Sequence, residues 1–124
     1  MSPAANRHFE QARQNRDLAQ ELLRDHASSP MYVQWVVTVA FYCAVHAMQG
    51  YLVDLGRDPK THARREAEIA DPLNGVPTDV YRAYMALKQF SEKARYRCGT
   101  FDPAWVQRSV IDGRLKTVTD FVGL

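Results

Sequence analysis

One uncharged stretch constrains this chain more than any other feature, because no Asp, Glu, Lys or Arg occurs from Met31 to Val53. About 20 apolar residues are enough to cross a bilayer. However, the flanking segments have the amphipathic pattern of soluble helices, which need a shared apolar partner. Polar side chains also interrupt the stretch, at Gln34, Thr38, Tyr42, His46 and Gln49. We therefore predict the central helix of a soluble bundle and no membrane span.

Start and stop signals predict helices along the rest of the chain. Asp-Pro pairs open two of them, at Asp58 and Asp102, since Asp is a good cap and Pro lacks only an N–H that has no partner there. Ser28 or Ser29 caps the second helix, Thr78 caps the fourth, and Gly56 fits a left-handed stop. The five predicted helices run from about Ala4 to Asp25, from Pro30 to about Leu55, from Pro59 to before Pro72, from Thr78 to about Arg97, and from Pro103 towards Phe121.

These helices predict an all-α fold. No segment has a strand pattern, and the short connections favour antiparallel neighbours, as in an up-and-down bundle of four long helices and one short helix. With 124 residues, the chain is long enough for one core and too short for two, so we expect one domain over residues 1–124. The predicted core stripes are Phe9, Ala12, Leu18, Leu22 and Leu23 on the first helix, and Val80, Tyr84, Leu87 and Ala94 on the fourth.

Charge and cysteine content favour a cytoplasmic protein without a metal or cofactor. The net charge is +2, so contact with nucleic acid requires clustering of its arginines rather than bulk charge. Cys43 and Cys98 have neither CxxC nor CxxxH spacing, which argues against a metal site and fits free thiols in a reducing cytosol. The polar N-terminus does not have the pattern of a signal peptide.

The polar residues of the uncharged stretch form a line on the predicted second helix. Gln34, Thr38, Tyr42 and His46 follow one another at intervals of four, so they drift slowly around one face. They either form hydrogen bonds within the core or line a cleft or subunit interface, and the sequence leaves both readings open.

A second cluster surrounds the start of the third helix and contains Arg57, Asp58, His62, Arg64 and Arg65. Unpaired backbone N–H groups and the helix dipole favour an anion such as phosphate there. The same positive end lowers the pKa of His62, so a neutral imidazole is available as a base near pH 7. The alternative is a solvated helix start whose charges are met by Glu66 and Glu68.

A third cluster lies near the end of the fourth helix. Lys88, Ser91 and Arg95 share one face by their spacing, and Arg95 and Tyr96 pair a guanidinium with an aromatic ring. That combination suits a phosphodiester and a stacked base. Cations are also favourable at any helix C-terminus, so a plain basic helix end is the alternative.

Three segments together resemble the HEPN domain superfamily, in particular its small stand-alone prokaryotic members: VAFYCAVHAMQGYL, GRDPKTHARRE and YMALKQFSEKARY. The resemblance covers about Ala4 to Arg97. It implies an all-α bundle that forms a homodimer. Many HEPN domains are metal-independent RNases of toxin-antitoxin or defence systems, and others are non-catalytic modules that bind RNA, a nucleotide or a partner protein.

The resemblance also implies roles for particular residues. RDPKTH, from Arg57 to His62, is similar to the Arg-x4–6-His motif of the RNase branch. In that reading His62, Arg57 and Arg65 are catalytic and no metal is needed. Substrate contacts would come from Arg64, Arg95, Tyr96, Ser91, His46 and Tyr42. The alternative is a dimeric binding module that uses Arg64, Arg65, Arg95 and Tyr96 without cleavage. A third reading is an antitoxin-like or scaffold protein with a cognate partner.

Overall fold

The computed structural model describes residues 2–124, and within that range the chain is helical with no strand. The predicted all-α bundle is confirmed. Its elements are α1 (Pro3–His26), α2 (Pro30–Asp54), the short α3 (His62–Ala70), a 3-10 turn (Pro72–Asn74), α4 (Thr78–Tyr96) and α5, which is continuous over residues 103–121.

The second helix lies at the centre of the bundle, where it packs against α1, α4 and α5. Buried side chains occur on every side of it, which explains why the sequence carries no charge there. It is the one helix in the described residues that is long and apolar enough to cross a membrane. However, 72% of its most apolar window is buried inside the protein, as in the core helix of a soluble protein.

Two helix starts differ from the prediction. The third helix begins at His62 rather than Pro59, and the Thr61 side chain caps it by accepting from the Arg64 N–H. Asp58 does not cap because its carboxylate accepts from Gln49 and Lys60 instead. The fourth helix begins with Thr78 itself, after Pro77, so Thr78 is not its cap.

Other boundaries agree closely with the sequence. Asp102 caps α5 by accepting from the Trp105 N–H, as predicted. Gly56 follows α2 in the left-handed conformation with φ of 82°. The predicted stripe of α4 is buried throughout, whereas the stripe of α1 is wrong at Leu18, which is exposed.

The last helix has an unpredicted backbone geometry. Its central segment, Val106–Leu115, is a π-helix between short α-helical segments, Pro103–Trp105 and Lys116–Phe121. Four apolar residues of the π-helical segment face the core: Val106, Val110, Ile111 and Leu115. The wider turn therefore still presents one continuous apolar face to α2 and α4.

Candidate functional site

A cleft of about 470 Å³ lies where the start of α3 meets the end of α4 beside the middle of α2. We call it the His62 cleft. It brings together residues from all three helices: Phe41, Tyr42, His62, Lys88, Glu92, Arg95, Tyr96 and Arg97. Four of the predicted site residues thus line one cavity, namely His62, Arg95, Tyr96 and Tyr42.

His62 owes its position to the local chain path. Thr61 caps α3, so His62 is the first helical residue and stands at the positive end of the helix. Its ring packs beside Phe41, with 5.8 Å between the ring centroids. One edge of the imidazole is thereby held against the bundle, while the residue remains exposed to solvent.

Arg65 lies behind His62 and is buried, with 9% of its surface exposed. Its Nε–H donates to Gln49 Oε1 at 2.9 Å, and its Nη1 is 3.1 Å from His62 Nδ1. A guanidinium can only donate hydrogen bonds, so Nδ1 must accept this one. The imidazole is therefore neutral in this arrangement and carries its proton on Nε2.

The surroundings of His62 favour the same neutral form. Burial lowers the pKa of His62, and the positive charges of Arg65, Lys88 and Arg95 lower it further, against a smaller opposing effect of Glu66. At pH 7 the side chain thus offers one N–H donor at Nε2 rather than a positive charge.

Arg95 is held by a set of neutral partners. Its Nε–H donates to the Ser91 carbonyl at 3.2 Å, Nη2 donates to Ser91 Oγ at 2.9 Å, and Nη1 donates to the Tyr42 hydroxyl at 3.1 Å. The guanidinium also lies 4.9 Å from the ring centroid of Tyr96. These contacts fix the plane of the guanidinium at the wall of the cleft.

The cleft has an excess of positive charge. Within residues 2–124, neither Arg65 nor Arg95 lies within ion-pair distance of a carboxylate. Lys88 is different, because it pairs with Glu66 and Glu92. Charges removed from water are normally paired. Arg95 and Arg97, which line the cleft without an ion pair in the described residues, therefore make it attractive to an anion, and Arg65 adds a positive charge behind His62.

The family of the chain follows from a comparison with protein-family models, in which the HEPN domain matches residues 5–115. The chain belongs to the HEPN domain family. The matched region contains α1 except for its first two residues, α2 to α4 and the π-helical segment of α5, so it includes every residue of the His62 cleft. None of the curated proteins matches the chain.

Arg57 and Arg64 lie outside the cleft of this HEPN protein. The guanidinium of Arg57 is 3.4 Å from Asn74 Oδ1 and 3.9 Å from Glu68, and Arg64 is 3.5 Å from Glu68. Because α3 begins only at His62, Arg57 stays in the preceding loop and Arg64 is one helical position away from Arg65. The structure therefore does not unite the Arg57-to-His62 motif in one cavity.

His46 also faces a different cavity. Its Nδ1 lies 3.1 Å from Nδ1 of His8, so one ring donates to the other, and the small pocket beside them is also lined by Asp58, Lys60 and Arg65. Burial lowers the pKa of both histidines.

Ser91 is fully buried and contributes to the site only through its hydrogen bond with Arg95. In the described residues, no group of three His, Cys, Asp or Glu is arranged to hold a metal ion.

The sequence predicts no role for three contributors to the site. Gln49 is in sequence only a polar interruption of the apolar helix, yet it anchors Arg65. Phe41 and Glu92 both line the cleft. The signal for Gln49 was its position three residues after His46, where a buried helix would carry an apolar side chain; nothing in the sequence marks Glu92.

Proposed function

We propose that this HEPN protein binds single-stranded RNA and that the His62 cleft holds one of its phosphates. The observation that carries the proposal is that Arg95 and Arg97 line the cleft without a carboxylate partner in the described residues, while Arg65 adds its charge behind His62. A phosphate supplies the missing negative charge, and it accepts hydrogen bonds from the Arg95 guanidinium and from His62 Nε2–H.

Tyr96 supports a nucleic-acid ligand rather than a free inorganic anion. Its ring is 73% exposed and lies against the Arg95 guanidinium. Stacking of a base on an exposed aromatic ring contributes about 1–3 kcal/mol and depends little on the base. A phosphate at Arg95 leaves the adjoining base within reach of this ring.

The test measures the affinity of a fluorescently labelled oligouridylate by anisotropy. Tyr96→Ala should weaken binding by about tenfold or more, whereas Tyr96→Phe keeps the ring and should bind like the parent. If the parent shows no salt-dependent binding, or if the Ala and Phe variants behave alike, the proposal fails.

RNA cleavage is a second candidate function, and the position of His62 in the cleft supports it. Attack of the ribose 2′-oxygen on phosphorus would form a cyclic phosphate and expel the 5′-oxygen, which takes its proton from water, while the neutral His62 donates its Nε2–H to a non-bridging phosphate oxygen. Glu92 in the same cleft, which also pairs with Lys88, would accept the 2′-OH proton. Arg95 would offset the charge that builds on the phosphorane. This chemistry cuts RNA and spares DNA because DNA lacks the 2′-OH.

Cleavage is tested by incubating purified protein with RNA in EDTA, beside His62→Ala. Loss of cleavage in the variant, with a melting temperature within a few degrees of the parent, supports a catalytic role for His62. A parent that binds RNA without cutting it restricts the protein to the binding function.

We also propose a two-fold homodimer. Met31 and Trp35 are 56% and 55% exposed on α2, and Trp35 borders a second pocket whose wall includes Arg95. Burying such large apolar side chains against a second copy removes them from water. Light scattering should report about twice the monomer mass of 14.2 kDa, and Trp35→Glu should give a monomer. A monomeric parent would contradict this.

For the cellular role, we propose a cytoplasmic toxin-antitoxin or defence system in which the HEPN protein meets a cognate antitoxin or partner protein. Support comes only from membership of the HEPN family. Induced expression in a bacterial host should slow growth, and His62→Ala should not. An adjacent nucleotidyltransferase-type gene, whose product relieves the effect, would identify the pair.

A further inference from the structure

Gln49 stands between the loop before α3 and the buried guanidinium of Arg65. We propose that Gln49 is a positioning residue that gives the buried Arg65 guanidinium a neutral hydrogen-bond acceptor and so keeps its charge behind His62 unpaired with any carboxylate; this rests on the proposed phosphate-binding function. The side chain of Gln49 is buried on α2, with 5% exposed. Its Oε1 accepts from Arg65 Nε at 2.9 Å.

The other end of the Gln49 amide fixes its orientation. Nε2 donates to Asp58 Oδ1 and to the Pro59 carbonyl, each at 3.0 Å. Both of these groups are acceptors, so the nitrogen must face the loop and the oxygen must face Arg65. A reversed amide would set Nε2 against the Arg65 Nε–H, donor against donor. The loop therefore determines which atom Arg65 meets.

Charge explains why an amide is needed at this position. The nearest acidic groups are occupied, because Asp58 pairs with Lys60 and Glu66 pairs with Lys88. A Glu at position 49 has the same shape as Gln but would form an ion pair with Arg65. The positive charge behind His62 would then be neutralised before any ligand arrived.

A purely structural role for Gln49 makes a different prediction. If the amide only fills space and satisfies buried groups, then Gln49→Met and Gln49→Glu should disturb the site in the same way. If it preserves the charge of Arg65, only Gln49→Glu changes the electrostatics at His62. The two roles are therefore separated by a readout of charge at His62, not by stability.

The experiment follows the ring protons of His62 by NMR during a pH titration of the free protein, with the signal assigned from its loss in His62→Ala. The charged groups that act on this ring are Arg65, Lys88, Arg95 and Glu66, and all are unchanged in the Gln49 variants. Gln49→Glu should raise the His62 pKa above that of the parent. Gln49→Met should leave it at or near the parent value.

A second variant guards against misfolding, since Glu at position 49 lies beside the Asp58 carboxylate. Gln49→Glu combined with Asp58→Asn removes that repulsion and keeps the new ion pair, so it should raise the His62 pKa as well. Both Glu variants should also bind oligouridylate about tenfold more weakly, the order expected for one nearby charge in a partly buried site.

An unchanged His62 pKa in the folded double variant would overturn the inference, as would an equal rise in Gln49→Met. The titration needs no ligand. A parent that fails to bind RNA therefore refutes the proposed function while leaving the role of Gln49 tested, and an RNA-binding parent with an unresponsive His62 refutes the role of Gln49 alone.

Discussion

Replacing Arg95 separates the effect of its charge from that of its shape. The Arg95 guanidinium donates from Nε and Nη2 to Ser91, and from Nη1 to the hydroxyls of Tyr42 and Tyr96. Because Nη2 carries two hydrogens and uses one, at least one N–H remains for a ligand. One charge-assisted hydrogen bond contributes about 1.5–3 kcal/mol. Arg95→Gln should therefore weaken oligouridylate binding by about tenfold to a hundredfold.

The salt dependence of binding gives the second measurement. Loss of one phosphate contact reduces the slope of log K against log salt by about 0.7 for a single strand. Arg95→Lys keeps the positive charge, so the slope of log K against log salt should not change. The variant loses the planar guanidinium and its stacking on Tyr96, so it should still bind more weakly than the parent.

Arg82→Gln is the matched control for these variants. Arg82 is exposed on the same helix, thirteen residues earlier and about 20 Å away along its axis, and it lines a different pocket. Arg82→Gln removes one positive charge from the protein, as Arg95→Gln does. Equal losses of affinity in Arg82→Gln and Arg95→Gln would mean that RNA senses only the net charge, and the site argument would be refuted.

Three further predictions concern stability and reactivity. The Tyr84 hydroxyl is buried and makes no well-aligned hydrogen bond in the described residues, although the Arg65 guanidinium is close enough to lower its pKa; Tyr84→Phe should therefore hold or raise the melting temperature, and a clear fall would show that Arg65 bonds to the hydroxyl. The pKa values of His8 and His46 are lowered by burial. The unfolded chain thus binds protons first on acidification, so stability should be lost as the pH falls below about 6.5. Thermal melts should show a smaller loss for His46→Gln, and an equal loss would contradict this. Burial raises the pKa of Cys43 to about 12, whereas Cys98 is exposed. A thiol reagent should therefore modify one cysteine in the native protein and two in denaturant, and rapid modification of both in the native protein would be inconsistent with this burial.

Much of the fold was predictable because the strongest signals are local. The uncharged run from Met31 to Val53 required a central helix, and Asp102 with Pro103 marked a helix start that no tertiary contact overrides. The start of α3 was not predictable in the same way. Asp58 has the right chemistry for a cap, but Gln49 from another helix uses its carboxylate.

The π-helical segment was missed, although the sequence carries a signal for it. Its buried residues, Val106, Val110, Ile111 and Leu115, would spread over about half of the circumference of an α-helix with 3.6 residues per turn. The wider π-helical turn brings them to one face, where they pack against α2 and α4. Glycine suits this backbone at position 113, because a Cβ there would lie 3.1 Å from the Arg108 carbonyl oxygen.

Individual residues of the candidate site were predictable from the sequence, but their proximity in the fold was not. His62 and Arg95 each stood out by helix position and charge, but their meeting depends on which ends of α3 and α4 share a side of the bundle. Arg57 stood out by its spacing from His62, yet the loop before α3 directs it to Asn74. Sequence spacing predicts which side chains share a face of a helix, but it does not predict where side chains of an irregular loop lie.

The polar residues of α2 are satisfied by three different parts of the protein. Gln34 donates to the carbonyl of Gly99 in the loop after α4, and Thr38 donates to a carbonyl one turn earlier on α2 itself. His46 faces His8 on α1. Each of these three side chains is therefore hydrogen-bonded where it lies, and each also borders a cavity, Gln34 and Thr38 beside Trp35 and His46 beside His8.

Tyr42 and Gln49 differ because each contacts an arginine that has no carboxylate partner. Tyr42 accepts from Arg95, and Gln49 accepts from Arg65. An apolar residue at either position would leave a buried or half-buried N–H unpaired, at a cost of about 1–3 kcal/mol. An acidic residue would satisfy the N–H but neutralise the charge. Neutral acceptors alone hold both guanidiniums in place and preserve their charge, and this is why a helix so apolar keeps polar side chains facing α3 and α4.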